Sequence, residues 1–145
     1  VGMDGVIIPD VPHEESGEMR EICAAHDFPL MEFITPGTTS ERMQETCASA
    51  AGFIYCVSNN GVTGVKKVDY SRIGKIVKGA RAYTKTPLAV GFGIGSPEAA
   101  VEAAAEADAV IVGSAVVKLL LADRRDEAAE LIAAMRKVLD AAYHG

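Results

Sequence analysis

Short apolar runs alternate with longer amphipathic stretches along the whole chain, and this alternation restricts the fold more than any other feature. Runs at 5–9 (GVIIP), 30–34, 53–57, 88–90 and 109–112 are too short for helices and rich in branched or aromatic residues, so they predict strands. The stretches between them have helical spacing. Residues 14–26 place Met19, Ile22 and Cys23 on one face with charges between them. Ser40 is a candidate cap for a helix over 41–50, and 70–83 carries Ile73, Ile76, Val77 and Ala80 on one side. Ser96, Pro97 and Glu98 supply a cap, a first-turn proline and an early acid for a helix running to about residue 107. A short helical turn at 115–118 precedes a final helix over 127–143, whose apolar side holds Leu131, Ile132, Met135, Val138 and Leu139.

Five strand–helix repeats of this kind predict an α/β fold with a parallel sheet. Right-handed crossovers bring every strand's C-terminal end to one edge. The loops at 10–12, 35–40, 58–64, 91–95 and 113–114 then share a rim, which is where barrels and open α/β sheets bind ligands. A complete (β/α)8 barrel takes about 250 residues, or roughly 30 per βα unit. A chain of 145 residues holds about five such units, which predicts a partial TIM barrel forming a single domain over 1–145.

Composition removes several function classes. An apolar share of 49% is too high for a disordered chain. The balance of 14 basic against 20 acidic side chains, net −6, argues against a nucleic-acid partner held by a basic surface. No apolar run approaches the roughly 20 residues of a membrane-spanning helix, and no basic segment precedes an apolar one as in a secretory signal. A cytoplasmic protein with no membrane partner is expected. Cys23, Cys47 and Cys56 form no CxxC pair and have no His pair nearby, so free thiols are expected and a metal site is not. Val1 is not an initiator methionine and a strand begins within a few residues, as in a fragment or a processed chain.

The glycine-rich turns carry the chemistry. Residues 91–95 (GFGIG) make a poor dinucleotide fingerprint, because Ser96 falls where its third glycine belongs and Pro97 follows. They read equally as a backbone-amide cradle for an anion or as a turn that needs glycine. Gly113 and Ser114, directly after the next strand, tip the balance, since barrels hold phosphate at the loops after their last two strands. Lys118 either adds positive charge or is a solvated helix side chain. The 58–64 loop (SNNGVTG) reads as a mobile lid or as an ordinary exposed loop. Asp10 is a rim acid, a general base or, more in keeping with its position, a cap or rim hydrogen-bond partner. His13, Glu14 and Glu15 are adjacent and do not face one metal. Glu32 either faces the helices or is a paired buried acid, and His26 and His144 are expected at the surface. Ile34, Tyr55, Phe92 and Ile111 are core residues by default; pointing inward near the rim, they would flank a flat apolar group.

Four stretches carry a family resemblance: DGVIIPDVPHEES (4–16), FIYCVSNNGVTG (53–64), PLAVGFGIGSPE (87–98) and ADAVIVGSAVVK (107–118). In order and spacing the chain resembles the tryptophan synthase alpha subunit family, and the Ser–x–x–Gly–Val–Thr–Gly loop is the most specific element. The resemblance implies a (β/α)8 barrel and a lyase of tryptophan biosynthesis that cleaves indole-3-glycerol phosphate to indole and glyceraldehyde 3-phosphate. It implies no cofactor for this chain; pyridoxal phosphate belongs to a partner beta subunit. The chain would supply strands four to eight, with strands one to three absent. Carried over by motif, Gly64, Gly93, Gly113 and Ser114 bind the substrate phosphate, and Ile34, Tyr55, Phe92 and Ile111 line the indole pocket. Ser58, Gly61 and Thr63 belong to the lid, and Asp10 is the acid of the DVP loop. Pro9 stands where a small residue is usual. The family's acid–base Glu and its companion Asp have no counterpart here, so the isolated chain is expected to be inactive. Another phosphate-binding barrel enzyme and a non-catalytic phosphate-binding assembly module are the alternatives, and two free sheet edges predict self-association.

Overall fold

The computed structural model describes residues 2–57 and 70–143. Its strands are β1 (Val6–Ile7), β2 (Leu30–Ile34), β3 (Ile54–Val57), β4 (Leu88–Gly91) and β5 (Ala109–Ile111). Its helices are α1 (Gly17–Ala25), α2 (Ser40–Ser49), α3 (Tyr70–Arg81), α4 (Pro97–Ala104), α5 (Ser114–Leu121) and α6 (Arg125–Tyr143), with a 3-10 turn at His13–Glu15. The strands pair in chain order, and every neighbouring pair is parallel. The parallel α/β sheet expected from the apolar runs is therefore present, and its strand C-terminal ends share one edge.

Register follows from burial. Along β2, Leu30, Glu32 and Ile34 are buried while Met31 and Phe33 are half-buried; along β3, Ile54 and Cys56 are buried and Tyr55 and Val57 half-buried. Ile34, Cys56 and Val90 lie side by side across three strands. They pack with Met43 and Cys47 of α2, Ile73 and Val77 of α3, Ala100 and Ala103 of α4, and Met135 of α6. The core thus lies between one sheet face and the helices. Phe33 and Tyr55 occupy the other face. Alanines on the buried side of α4 leave room for α6, whose Tyr143 hydroxyl donates to the Val101 carbonyl at 3.0 Å.

Several boundaries differ from the sequence expectation. The first strand covers two residues rather than 5–9, because Pro9 has no N–H to donate and constrains Ile8 before it. The 14–26 helix divides into the 3-10 turn and α1. Thr39, not Ser40, caps α2: its hydroxyl accepts from the Arg42 amide at 3.3 Å, and Ser40 already lies in the first turn. Ser96 caps α4 as expected, accepting from the Ala99 amide at 3.2 Å, but α4 ends at Ala104, short of 107. The turn expected at 115–118 is an eight-residue helix, extended by its apolar Leu119–Leu121 turn. Cys47 and Cys56 are buried and Cys23 half-buried, all as free thiols; burial pushes the Cys56 thiol up to about 12.

Asp108, at the entry to β5, ties two units together. One carboxylate oxygen accepts from the Leu88 amide at 2.8 Å and pairs with Arg81 at the end of α3. Partial burial opposes ionisation, but the Leu88 amide and the Arg81 guanidinium outweigh it and hold the carboxyl below the usual aspartate range. A lowered native pKa contributes stability that is complete above the ordinary value of about 4 and is lost as pH falls through the native value. Asp108→Ala should lower Tm at pH 7 by about 3 °C, the shift for losing roughly 1 kcal/mol, mostly the amide bond rather than the solvent-screened ion pair. Thermal melts should also show a shallower loss of Tm below about pH 4 in the variant than in the parent chain.

Candidate functional site

The rim after β4 and β5 holds a cleft of about 350 Å³ lined by Tyr55, Phe92, Gly93, Ile111, Gly113, Ser114 and Lys118 among others. The local backbone makes it. Phe92 adopts φ 146° and Gly93 φ 68°, so the chain turns sharply as it leaves β4. Glycine takes such a conformation freely, whereas at Phe92 it is strained. The Tyr70 hydroxyl, at the start of α3, lies 3.4 Å from the Gly93 carbonyl. After β5, Gly113 occupies the N-cap of α5 and no side chain caps that helix. A Cβ added at Gly95 or Gly113 would meet nothing within 4 Å, so packing does not demand glycine there. The absent side chains leave backbone open to the cleft. Uncapped first-turn amides of α5, exposed Ser114 and Lys118 together favour a negatively charged group.

Aromatic rings flank this polar corner. Tyr55 lies across β4: a Cβ built on Gly91 would fall 2.5 Å from its hydroxyl oxygen and 2.8 Å from Cζ. On the other side the Phe33 and Tyr55 rings stack, tilted by 32° with centroids 5.4 Å apart. Burial raises the Tyr55 phenol above its ordinary pKa, so it remains a neutral hydrogen-bonding group at pH 7.

The family model described as tryptophan synthase alpha chain matches residues 1–143. The chain belongs to the tryptophan synthase alpha chain family. It is 40% identical over 145 residues to the tryptophan synthase alpha chain of Alkalilimnicola ehrlichii and 36% identical over 144 residues to that of Halorhodospira halophila, covering 96% of this chain and 53% of each relative. The alpha chain of Legionella pneumophila superposes with TM-score 0.80 at 30% identity over 96% of this chain and 53% of that one. The alpha subunit of Campylobacter jejuni gives 0.77 at 30% identity, over 90% and 54%. Tryptophan synthase of M. tuberculosis, in its open form, gives 0.75 at 30% identity, over 91% and 50%. The chain spans about half the length of these curated relatives. Its five parallel strands form a curled half of the family's TIM barrel.

Against this family frame, Tyr55, Phe92, Ile111, Gly93, Gly113 and Ser114 meet in one cleft. Ile34 does not join them. It is fully buried on the helix-facing side of β2, because the twofold alternation of a strand gives the opposite face to Phe33. Phe33, which the sequence reading did not single out, stacks on Tyr55 and lines the neighbouring cleft. Ser58, Gly61, Thr63 and Gly64 lie outside the described residues, as does His144. Asp10 is exposed at the rim and lines a neighbouring cleft with His13, Phe33 and Thr38. It caps nothing: Pro12 precedes the 3-10 turn, and no side chain caps that turn. Both readings of Glu32 hold together, since it faces the helices and is paired there with His13, Arg20 and Ser49. Lys118 lines the cleft after β4 and β5 as well as being exposed. Among the described residues, no three His, Cys, Asp or Glu side chains are grouped to hold a metal ion, and no helix is long and apolar enough to cross a membrane.

At Gly91 any side chain would collide with the Tyr55 ring. Gly91→Ala should drive the Tyr55 ring off β4 at a cost of about 1–3 kcal/mol, typical of overpacking. The checks are a lower midpoint in urea unfolding and an altered tyrosine fluorescence spectrum in the folded variant.

Proposed function

We propose that the cleft after β4 and β5 holds the phosphate of indole-3-glycerol phosphate, and that the chain supplies strands four to eight of an alpha-type lyase. The observation that carries this reading is the pairing of two consecutive open-backbone turns, at Gly93 and Gly113, with the aromatic residues Tyr55 and Phe92 in one cleft. Backbone amides and the α5 N-terminus suit a phosphate dianion, and the rings suit a flat indole. Gly64 and the lid residues Ser58, Gly61 and Thr63 join the site by family likeness alone. Asp10 lies at the ring-side end of the rim.

Retro-aldol cleavage needs a proton delivered to the indole ring and another removed from the glycerol hydroxyl. We infer that the carboxylates for these steps lie on the part of the family barrel that this chain does not span. In the complete assembly, the indole released would pass to a beta subunit carrying pyridoxal phosphate, with no cofactor on this chain.

Titration calorimetry with glycerol 3-phosphate should show binding, and Ser114→Glu should weaken it by on the order of tenfold or more through charge repulsion at the helix terminus. No heat of binding in the folded chain would overturn the phosphate assignment. The purified chain should release no indole from indole-3-glycerol phosphate; measurable release would overturn the proposed division of the catalytic groups. Binding without turnover, even when the complementary part of an alpha chain is supplied, would favour a non-catalytic phosphate-binding module.

Self-association follows from the edges. Among the described residues, strands β1 and β5 are each paired on one side only, and α5 exposes Val117, Leu120 and Leu121, the last at 85%. Sedimentation analysis should find a dimer or larger assembly, and a monodisperse monomer at moderate concentration would refute it.

A further inference from the structure

The first βα unit is fastened differently from those in the middle of the sheet. Helices α2, α3 and α4 each bury side chains in the core, whereas α1 buries none. Strand β1 pairs with β2 at only two positions, Val6 with Leu30 and Ile7 with Met31. Besides the exposed Arg42–Glu14 pair at 2.7 Å, a polar cluster around Glu32, whose side chain is 7% exposed, ties this unit down. His13 Nδ1 lies 3.1 Å from Glu32 Oε2, and the Ser49 hydroxyl donates to Oε1 at 3.3 Å. Arg20 Nη1 donates to the Ser16 hydroxyl at 2.6 Å and to the His13 carbonyl at 3.0 Å. Arg20 Nη1 also donates to Glu32 Oε1 at 3.4 Å and lies 3.0 Å from His13 Nδ1. A carboxylate buried this deeply is stable only while its partners stay in place.

The position of this unit shapes the rim. Asp10 and His13 form one wall of a cleft of about 280 Å³, and Phe33, Thr35 and Thr38 form the other. Phe33 stacks on Tyr55, which lines the phosphate-side cleft. We propose that Glu32 is a positioning residue, a latch that holds the first βα unit, residues 6–25, against β2 and α2 and thereby sets the Asp10 wall of the rim. With the latch broken, the unit opens as a body while the rest of the sheet stays folded. The consequence for a ligand rests on the phosphate reading above; the opening itself does not.

Native-state hydrogen exchange on the whole chain tests this. Glu32→Gln keeps the volume and removes the charge. Exchange across 6–25 should accelerate by about tenfold or more, with α3, β4 and α4 unchanged. Arg20→Gln, at a partly exposed position, should act the same way and decides the matter if Glu32→Gln does not fold. Arg20→Lys, which restores the positive charge, should recover much of the protection. Uniform acceleration over the whole chain, or unchanged exchange in 6–25, would overturn the latch. Glycerol 3-phosphate binding is read in parallel on the unaltered chain. Its absence would remove the phosphate reading while the exchange data still decide the latch.

Discussion

Parallel pairing of neighbouring strands is the constraint on which the rest of this molecule depends. A parallel pair needs a crossover, and a crossover carries the chain back over one face of the sheet before the next strand begins. Each strand therefore ends at the same edge, and α2, α3, α4 and α6 pack against the same core. Two consequences follow at once. The core fills the space between sheet and helices, with Ile34, Cys56 and Val90 side by side. The glycine turns after β4 and β5, separated in sequence, become neighbours on one rim.

The rim carries two kinds of polarity. At β4 and β5 it is mainly backbone: a turn through Phe92 and Gly93, and an α5 terminus capped by glycine with no side chain over it. The contrast with α4 is informative, because there Ser96 already satisfies a first-turn amide. At β1 and β2 the polarity belongs to side chains, gathered around one buried carboxylate. Backbone amides lose nothing to side-chain entropy when an anion arrives, which suits a fixed anion site. A side-chain cluster holds elements together only while every member is present. The Phe33–Tyr55 stack lies between the two regions.

Close approach explains why the aromatic wall is built as it is. Tyr55 sits on the middle strand of the five and leans over Gly91 of the next. No larger residue fits beneath the ring. A strand that must be buried on its helix side and admit a ring on its other side is driven to a small residue at that point, and β4 is buried along its whole length.

Much of this was legible in the chain itself. Apolar periodicity located the five strands, since period-two and helical patterns are local properties of the sequence. The Ser96–Pro97–Glu98 start and the two glycine turns were equally local. Four motifs in order identified the family, and the five strand–helix units accord with a chain spanning 53% of a curated relative. Tertiary structure decided what depends on register and on distant partners. Ile34 and Phe33 are adjacent in sequence, and only pairing with β3 determined that Phe33 meets Tyr55 while Ile34 enters the core. Glu32 found partners in the 3-10 turn, α1 and α2, across separations no local pattern encodes. Sequence determined the elements because their energetics are short-range. The faces they present and the partners of a buried charge are long-range choices, made only when the sheet assembles.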